Sequence, residues 1–121
     1  LRPMHNFEKL KIWQKAMDVA VEVYKVSLLL PLDEKFNLIH QIKKCAVSIP
    51  SNIAESSGRN SNKEIIQFLR IANGSTFELI TQLILAKRLC LVSEDIIQPN
   101  INQLVEISNM SFSFQKSLKE N

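Results

Sequence analysis

Apolar residues recur along this chain at spacings of three and four, the period of an amphipathic helix. Trp13, Ala16, Met17, Ala20, Val23 and Tyr24 form the first run. It predicts a helix over about 7–29, with Asn6 as a candidate N-cap. Pro31 ends it, because proline restricts the residue before it and has no backbone N–H to donate. Ile39, Ile42, Ala46, Ile49 and Ile53 predict a second helix over about 33–56. Pro50 lies inside that run and removes the bond to the Ala46 carbonyl. The apolar repeat continues in register beyond it, which predicts a kink and not a break.

Ser57-Gly58-Arg59-Asn60 reads as a turn. Ser61-Asn62-Lys63-Glu64 then fits the S-x-x-E capping box and opens a third helix over about 61–89. Its seam is Ile65, Leu69, Ala72, Thr76, Leu79, Leu83, Ala86 and Cys90, alternating four and three as in a heptad. A fourth helix over about 93–119 follows from Ile97, Ile101, Leu104, Ile107, Phe114 and Leu118. Glu94 and Asp95 suit its positive N-terminal end. Pro99 is expected to delay its regular part by a turn. Short connections make successive helices antiparallel. The predicted fold is all-α: an up-down-up-down four-helix bundle over residues 7–121, preceded by an extended tail over 1–6.

The faces carry more than a core stripe. On the third helix, Ile66, Phe77, Ile80 and Ile84 widen the apolar arc to roughly 180°, against the 100° or slightly more that a surface helix needs. A four-helix core accounts for this, and so does a second apolar surface covered by other copies. Glu34, Gln41, Ser48, Asn52 and Glu55 form a polar stripe on the second helix, and Glu64, Ser75, Glu78 and Gln82 one on the third. Gln41 falls near the level of Glu78, so the stripes are expected to adjoin. They read as a solvated face or as a hydrogen-bonded contact. Gly74 costs about 1 kcal/mol relative to alanine in a helix interior. The simplest reason for it is close approach of another backbone.

Composition narrows the class without naming a function. The 121 residues are 45% hydrophobic and 22% charged, as in a globular domain and unlike a disordered chain. Two glycines exclude collagen and disfavour a turn-rich β fold. No apolar run approaches the roughly 18 residues of a membrane span, and the front shows no signal-peptide pattern. The formal charge is +3 with a pI near 9.0, weak for a nucleic-acid binder acting alone. Five copies at +3 each would carry +15 together, enough to matter to a polyanion.

Enzyme constellations are scarce. Cys45 and Cys90 lie far apart without ligand spacing and read as reduced, packed thiols of a reducing compartment, the cytoplasm. His5 and His40 support no nucleophilic triad. There is no glycine-rich phosphate loop, and the Glu-x-x-His signature of diiron bundles is absent. The expectation is no catalysis, no cofactor, no metal and no small-molecule substrate. Basic residues are scattered and individually read as solvated surface; Lys43, Lys44, Arg70, Lys87 and Arg88 are the candidate nucleic-acid contacts. Arg59, in the tight turn, can fork onto Glu55 or onto a phosphate. The carboxylate one turn away favours the structural role.

A resemblance then appears. The string from Phe7 to Ala16 (FEKLKIWQKA) resembles the opening of the four-helix-bundle family encoded by intervening sequences within 23S rRNA genes, also labelled a ribosomal-protein family. It continues through Gln41, Ala46–Glu55 (AVSIPSNIAE), Gly58-Arg59, Phe68–Ser75 (FLRIANGS), Glu78-Leu79 and Gln82-Leu83, and covers about Phe7 to Leu91. Two positions depart from the pattern. Ser56 stands where the family usually has glycine. Asn73 stands where it often has arginine, which removes a positive charge. The resemblance implies a homo-oligomeric ring, most simply a pentamer, with an RNA or nucleoprotein connection; the alternative is an assembly module with no nucleic-acid role. Gln41, Ser48, Asn52, Glu55, Ser75, Glu78 and Gln82 are motif positions that coincide with the polar stripes. That coincidence favours a contact surface, with Arg59 at its end.

Overall fold

The computed structural model describes residues 6–34 and 37–119. Within them lie four helices: α1 (Lys11–Ser27), α2 (Leu38–Ser57), α3 (Asn62–Arg88) and α4 (Glu94–Lys119). No strand occurs among the described residues. Each helix packs on its neighbours in the order α1–α2–α3–α4 and back to α1, the arrangement of an up-down bundle. The α1–α2 side is therefore opposite the α3–α4 side. None of these helices is long and apolar enough to cross a membrane.

The first two helices start later than their periodicity predicts. Asn6–Lys9 is a separate 3₁₀ turn, and Leu10 is extended at φ −73° and ψ 124°. Gln14 Nε2 donates to Glu8 O at 2.8 Å, and the Phe7 ring meets Trp13 edge-on at 5.2 Å, which folds the turn back on α1. The proposed Asn6 cap and the tail over 1–5 lie outside the described side chains and residues. Leu32–Glu34 is another 3₁₀ turn. Glu34, assigned to the α2 stripe from sequence, instead accepts the Leu38 N–H at 3.3 Å near the start of α2. Periodicity registers which residues are buried, and tight turns can satisfy it as a helix does. α2 runs unbroken through Pro50.

The later boundaries follow the sequence closely. Ser61 Oγ accepts the Glu64 N–H at 3.2 Å and donates to Glu64 Oε2 at 3.3 Å, so the carboxylate reaches the hydroxyl of its capping partner. α4 is regular from Glu94. Pro99 therefore causes no delay; it stands in the second turn, where its missing N–H costs the one bond to the Asp95 carbonyl.

α3 ends on a Schellman-type turn: Leu91 N bonds Ala86 O at 3.0 Å and Cys90 N bonds Lys87 O at 2.9 Å. Cys90 takes φ +60°, a left-handed conformation that disfavours side chains other than glycine. It is exposed, so the seam stops at Ala86 and Cys90 is not the packed thiol expected. Cys90→Gly is expected to raise the unfolding free energy by about 1 kcal/mol, read by chemical denaturation.

Val23, Ile42, Ile53, Leu69, Leu79, Leu83, Ile97 and Leu104 are fully enclosed and join all four helices in one core. Met17 and Tyr24, members of the first apolar run, are exposed. They fall toward the outer edge of the α1 apolar arc, where a bundle of this size has no further layer to receive them.

Candidate functional site

The two polar stripes meet between α2 and α3. Ser48 Oγ and Ser75 Oγ lie 2.8 Å apart, and Asn52 Nδ2 donates to Ser48 O and Oγ at 2.8 and 3.0 Å. One turn earlier on α2, Cys45 Sγ donates to Glu78 Oε2 and accepts from Gln82 Nε2, both at 3.4 Å. Arg59 closes the seam. Its guanidinium pairs with Glu55 Oε1 at 3.0 Å and sits 4.8 Å over the Phe68 ring. Short hydroxyl and amide side chains let α2 and α3 approach here while these groups bond one another.

The structure thus brings Ser48, Asn52, Ser75, Glu78, Gln82 and the Glu55–Arg59 pair into one strip. Gln41 lies on the same line of α2, but it is exposed, and Glu78 bonds Cys45 instead. The place of Cys45 was legible in the positions 41, 45, 48 and 52, which keep the 4-3-4 spacing of the stripe. Burial pushes the Cys45 thiol pKa up; the Gln82 hydrogen bond opposes this, and Glu78 adds to it through its hydrogen bond and its charge. The thiol is thereby kept protonated and is a poor nucleophile.

Sequence reasoning missed other buried polar groups. Ser56 is enclosed and donates to Ile53 O at 2.6 Å. Asn73 is only 7% exposed, and its Oδ1 has no hydrogen-bond partner. On α4, Asn100 donates to Ile96 O at 3.0 Å, and Gln115 to Ser111 Oγ at 3.0 Å. These residues interrupt an apolar seam, and a period count treats them as gaps.

Gly74 differs from its expected role. A Cβ placed on it meets nothing within 4 Å, so no backbone of the same chain approaches. Gly74→Ala is expected to stabilise the protomer by about 1 kcal/mol in a denaturant titration. A loss of stability would place the backbone of another copy at this point.

The candidate nucleic-acid contacts do not form one patch. Lys43 lies 5.1 Å over the Tyr24 ring, and Lys87 pairs with Glu94 at 3.4 Å. Lys44 is exposed on α2, while Arg70 and Arg88 are exposed on α3.

Apolar surface is the larger feature. Met17, Val21, Tyr24 and Leu28 stand exposed on α1 at spacings of four, three and four. With Ala20 and Lys43 they line a groove of about 450 Å³ against α2. A second apolar groove, of about 420 Å³, shares Met17 and Ala20 and extends it to Phe7, Trp13, Val47 and Pro50. Phe77 and Ile84 on α3, and Val105 and Phe112 on α4, are exposed on the other side of the bundle.

Among the described residues no group of His, Cys, Asp and Glu is placed to hold a metal ion. These features define a four-helix bundle with a polar seam between α2 and α3 and apolar surface on two sides. The chain belongs to the family of 23S rRNA-intervening sequence proteins, whose sequence model matches residues 8–113. The fold is similar to the crystal structure of a protein of unknown function from the S23 ribosomal protein family of Bacteroides thetaiotaomicron VPI-5482. The TM-score is 0.81 at 25% identity, over 87% of this chain and 98% of that one. No curated protein matches this chain.

Proposed function

We propose that this chain is a non-enzymatic cytoplasmic protein that assembles with copies of itself and serves as an accessory to RNA or a nucleoprotein. The observation that carries the assembly is the exposed stripe Met17, Val21, Tyr24 and Leu28. Its i, i+4, i+7, i+11 spacing is that of a helix-packing seam, and it faces out of the protomer. Monomers rarely expose contiguous apolar patches of this kind without a partner to cover them. A closed ring, with the five copies that the family resemblance implies, covers the apolar α1–α2 side of each chain with a neighbour and leaves its α3–α4 face open. The exposed edge of the polar seam, at Gln41, Glu55 and Glu78, is then available for a neighbouring copy.

The RNA connection rests on the family to which the chain belongs and on a basic balance that assembly multiplies. Native mass measurement and titration with structured RNA at several salt concentrations test the two halves. An oligomer that binds RNA, with affinity falling as salt rises, is expected. A single chain at micromolar concentration removes the assembly. An oligomer that binds no RNA at low salt leaves the second reading, an assembly module alone. The scatter of Lys43, Lys44, Lys87 and Arg88 over several faces favours that reading.

A further inference from the structure

Lys63 and Arg70 on α3 come together with Lys116 and Lys119 on α4, a grouping that no sequence spacing reveals. Asn62 Nδ2 donates to Leu118 O at 3.1 Å, so the start of α3 is level with the end of α4. At the other end Lys87 reaches Glu94 at 3.4 Å. Lys15 of α1 pairs with Glu106 at 3.2 Å, which assigns that side of α4 to α1. At 100° per residue Phe112 and Lys116 fall on the other flank, beside α3. Counted along antiparallel helices from the 62–118 contact, Arg70 lies level with Met110, within one turn of Phe112.

All four cations are exposed, and none has an ion-pair partner among the described residues. Among the described acids of these helices, Glu64 is held by the cap at Ser61, Glu78 by Cys45, Glu106 by Lys15 and Glu94 by Lys87, while Asp95 lies at the opposite end of α4 from Lys116. Four cations without ion-pair partners among the described residues, on one end of one face, create a local positive potential that the net charge of +3 conceals. Two exposed aromatic rings share this face: Phe112, 54% exposed, one turn before Lys116, and Phe77, 51% exposed, two turns beyond Arg70.

Cations alone fit any polyanion. Cations beside exposed rings fit a polyanion that carries its own π-faces, and a duplex keeps those faces stacked inside. We infer that the α3–α4 face binds single-stranded RNA, with phosphates on Lys63, Arg70, Lys116 and Lys119 and unstacked bases on Phe112 and Phe77. This rests on the RNA association proposed above and adds the face and the strandedness.

The experiment uses the full chain and two fluorescent probes of equal length, a single-stranded uridine oligoribonucleotide and a blunt RNA duplex, read by anisotropy. Wild type is expected to prefer the single strand. Arg70→Glu with Lys116→Glu is expected to weaken binding at least about tenfold and to reduce the slope of log affinity against log salt by about 1.4, at about 0.7 per lost phosphate contact. Phe112→Ala is expected to weaken binding about tenfold with the salt slope unchanged, as loss of stacking requires. Lys9→Glu with Lys11→Glu, the same charge change around the start of α1, is expected to stay within about twofold. All these positions are exposed, so circular dichroism and melting should match wild type. Equal weakening by the two charge-reversal pairs, or tighter binding of the duplex, overturns the inference while leaving RNA association standing. No binding of either probe by wild type at low salt overturns both.

Discussion

A Val21→Glu, Leu28→Glu double variant is expected to remain helical and to run as a single chain where wild type runs as an oligomer. Val21 is 52% exposed and Leu28 79%, so neither contributes much to the core of its own protomer. Glutamate is at least as good a helix former as valine. At position 21 it would also stand four residues before Lys25, a favourable pairing on a helix surface. The protomer therefore tolerates the change. An interface does not, because each new carboxylate would be withdrawn from water into a mainly apolar groove, and Lys25 or Lys43 at its edge would lose hydration as well in pairing with it. Removing such a charge from water costs several kcal/mol, more than a modest interface of this size returns. Light scattering or sedimentation reads the mass, and circular dichroism reads the fold. A variant with the wild-type mass would show that copies meet elsewhere.

Leu83→Ala is expected to lower the unfolding free energy by about 2–5 kcal/mol, a large part of the roughly 5–15 kcal/mol available to a domain of this size. Leu83 is fully enclosed on α3, the helix that packs on both α2 and α4, so the cavity left behind has rigid walls on several sides. Leu85, two residues on, is 45% exposed, and Leu85→Ala is expected to cost about 1 kcal/mol or less. The comparison tests the register of α3 directly, since a helix turned by half a revolution would reverse the two results. Chemical denaturation of both variants measures it. A cost below about 1 kcal/mol for Leu83→Ala would break the register.

Much of this architecture is legible in the chain itself. The Ser61 cap, the α3 seam from Ile65 to Ala86, the end of α2 near Gly58 and the Glu55–Arg59 pair all follow from local rules. Each is decided by residues within about one turn of each other, where backbone geometry leaves little choice. The errors have a common cause as well. Phe7 and Glu34 keep the helical pattern but belong to tight turns, because apolar spacing reports burial and not hydrogen bonding. Met17 and Tyr24 carry core chemistry, yet they are exposed. Periodicity finds the apolar arc of a helix and cannot say how much of that arc the other three helices will cover.

The candidate surfaces divide in the same way. The two polar stripes are visible as i, i+3, i+4 patterns, and their meeting follows once α2 and α3 are antiparallel. The exchange of Gln41 for Cys45 at Glu78 depends on an axial offset of a single turn. The basic group of Lys63, Arg70, Lys116 and Lys119 unites positions more than forty residues apart in the chain. Spacing along the chain set four amphipathic rods, their order, their caps and the breadth of their apolar arcs, because each of these depends on one helix at a time. Only the tertiary structure decided which edges of the rods face out and which charges become neighbours. Those outcomes depend on the rotation and offset of each helix against the next, and the packing of all four helices around one core sets them.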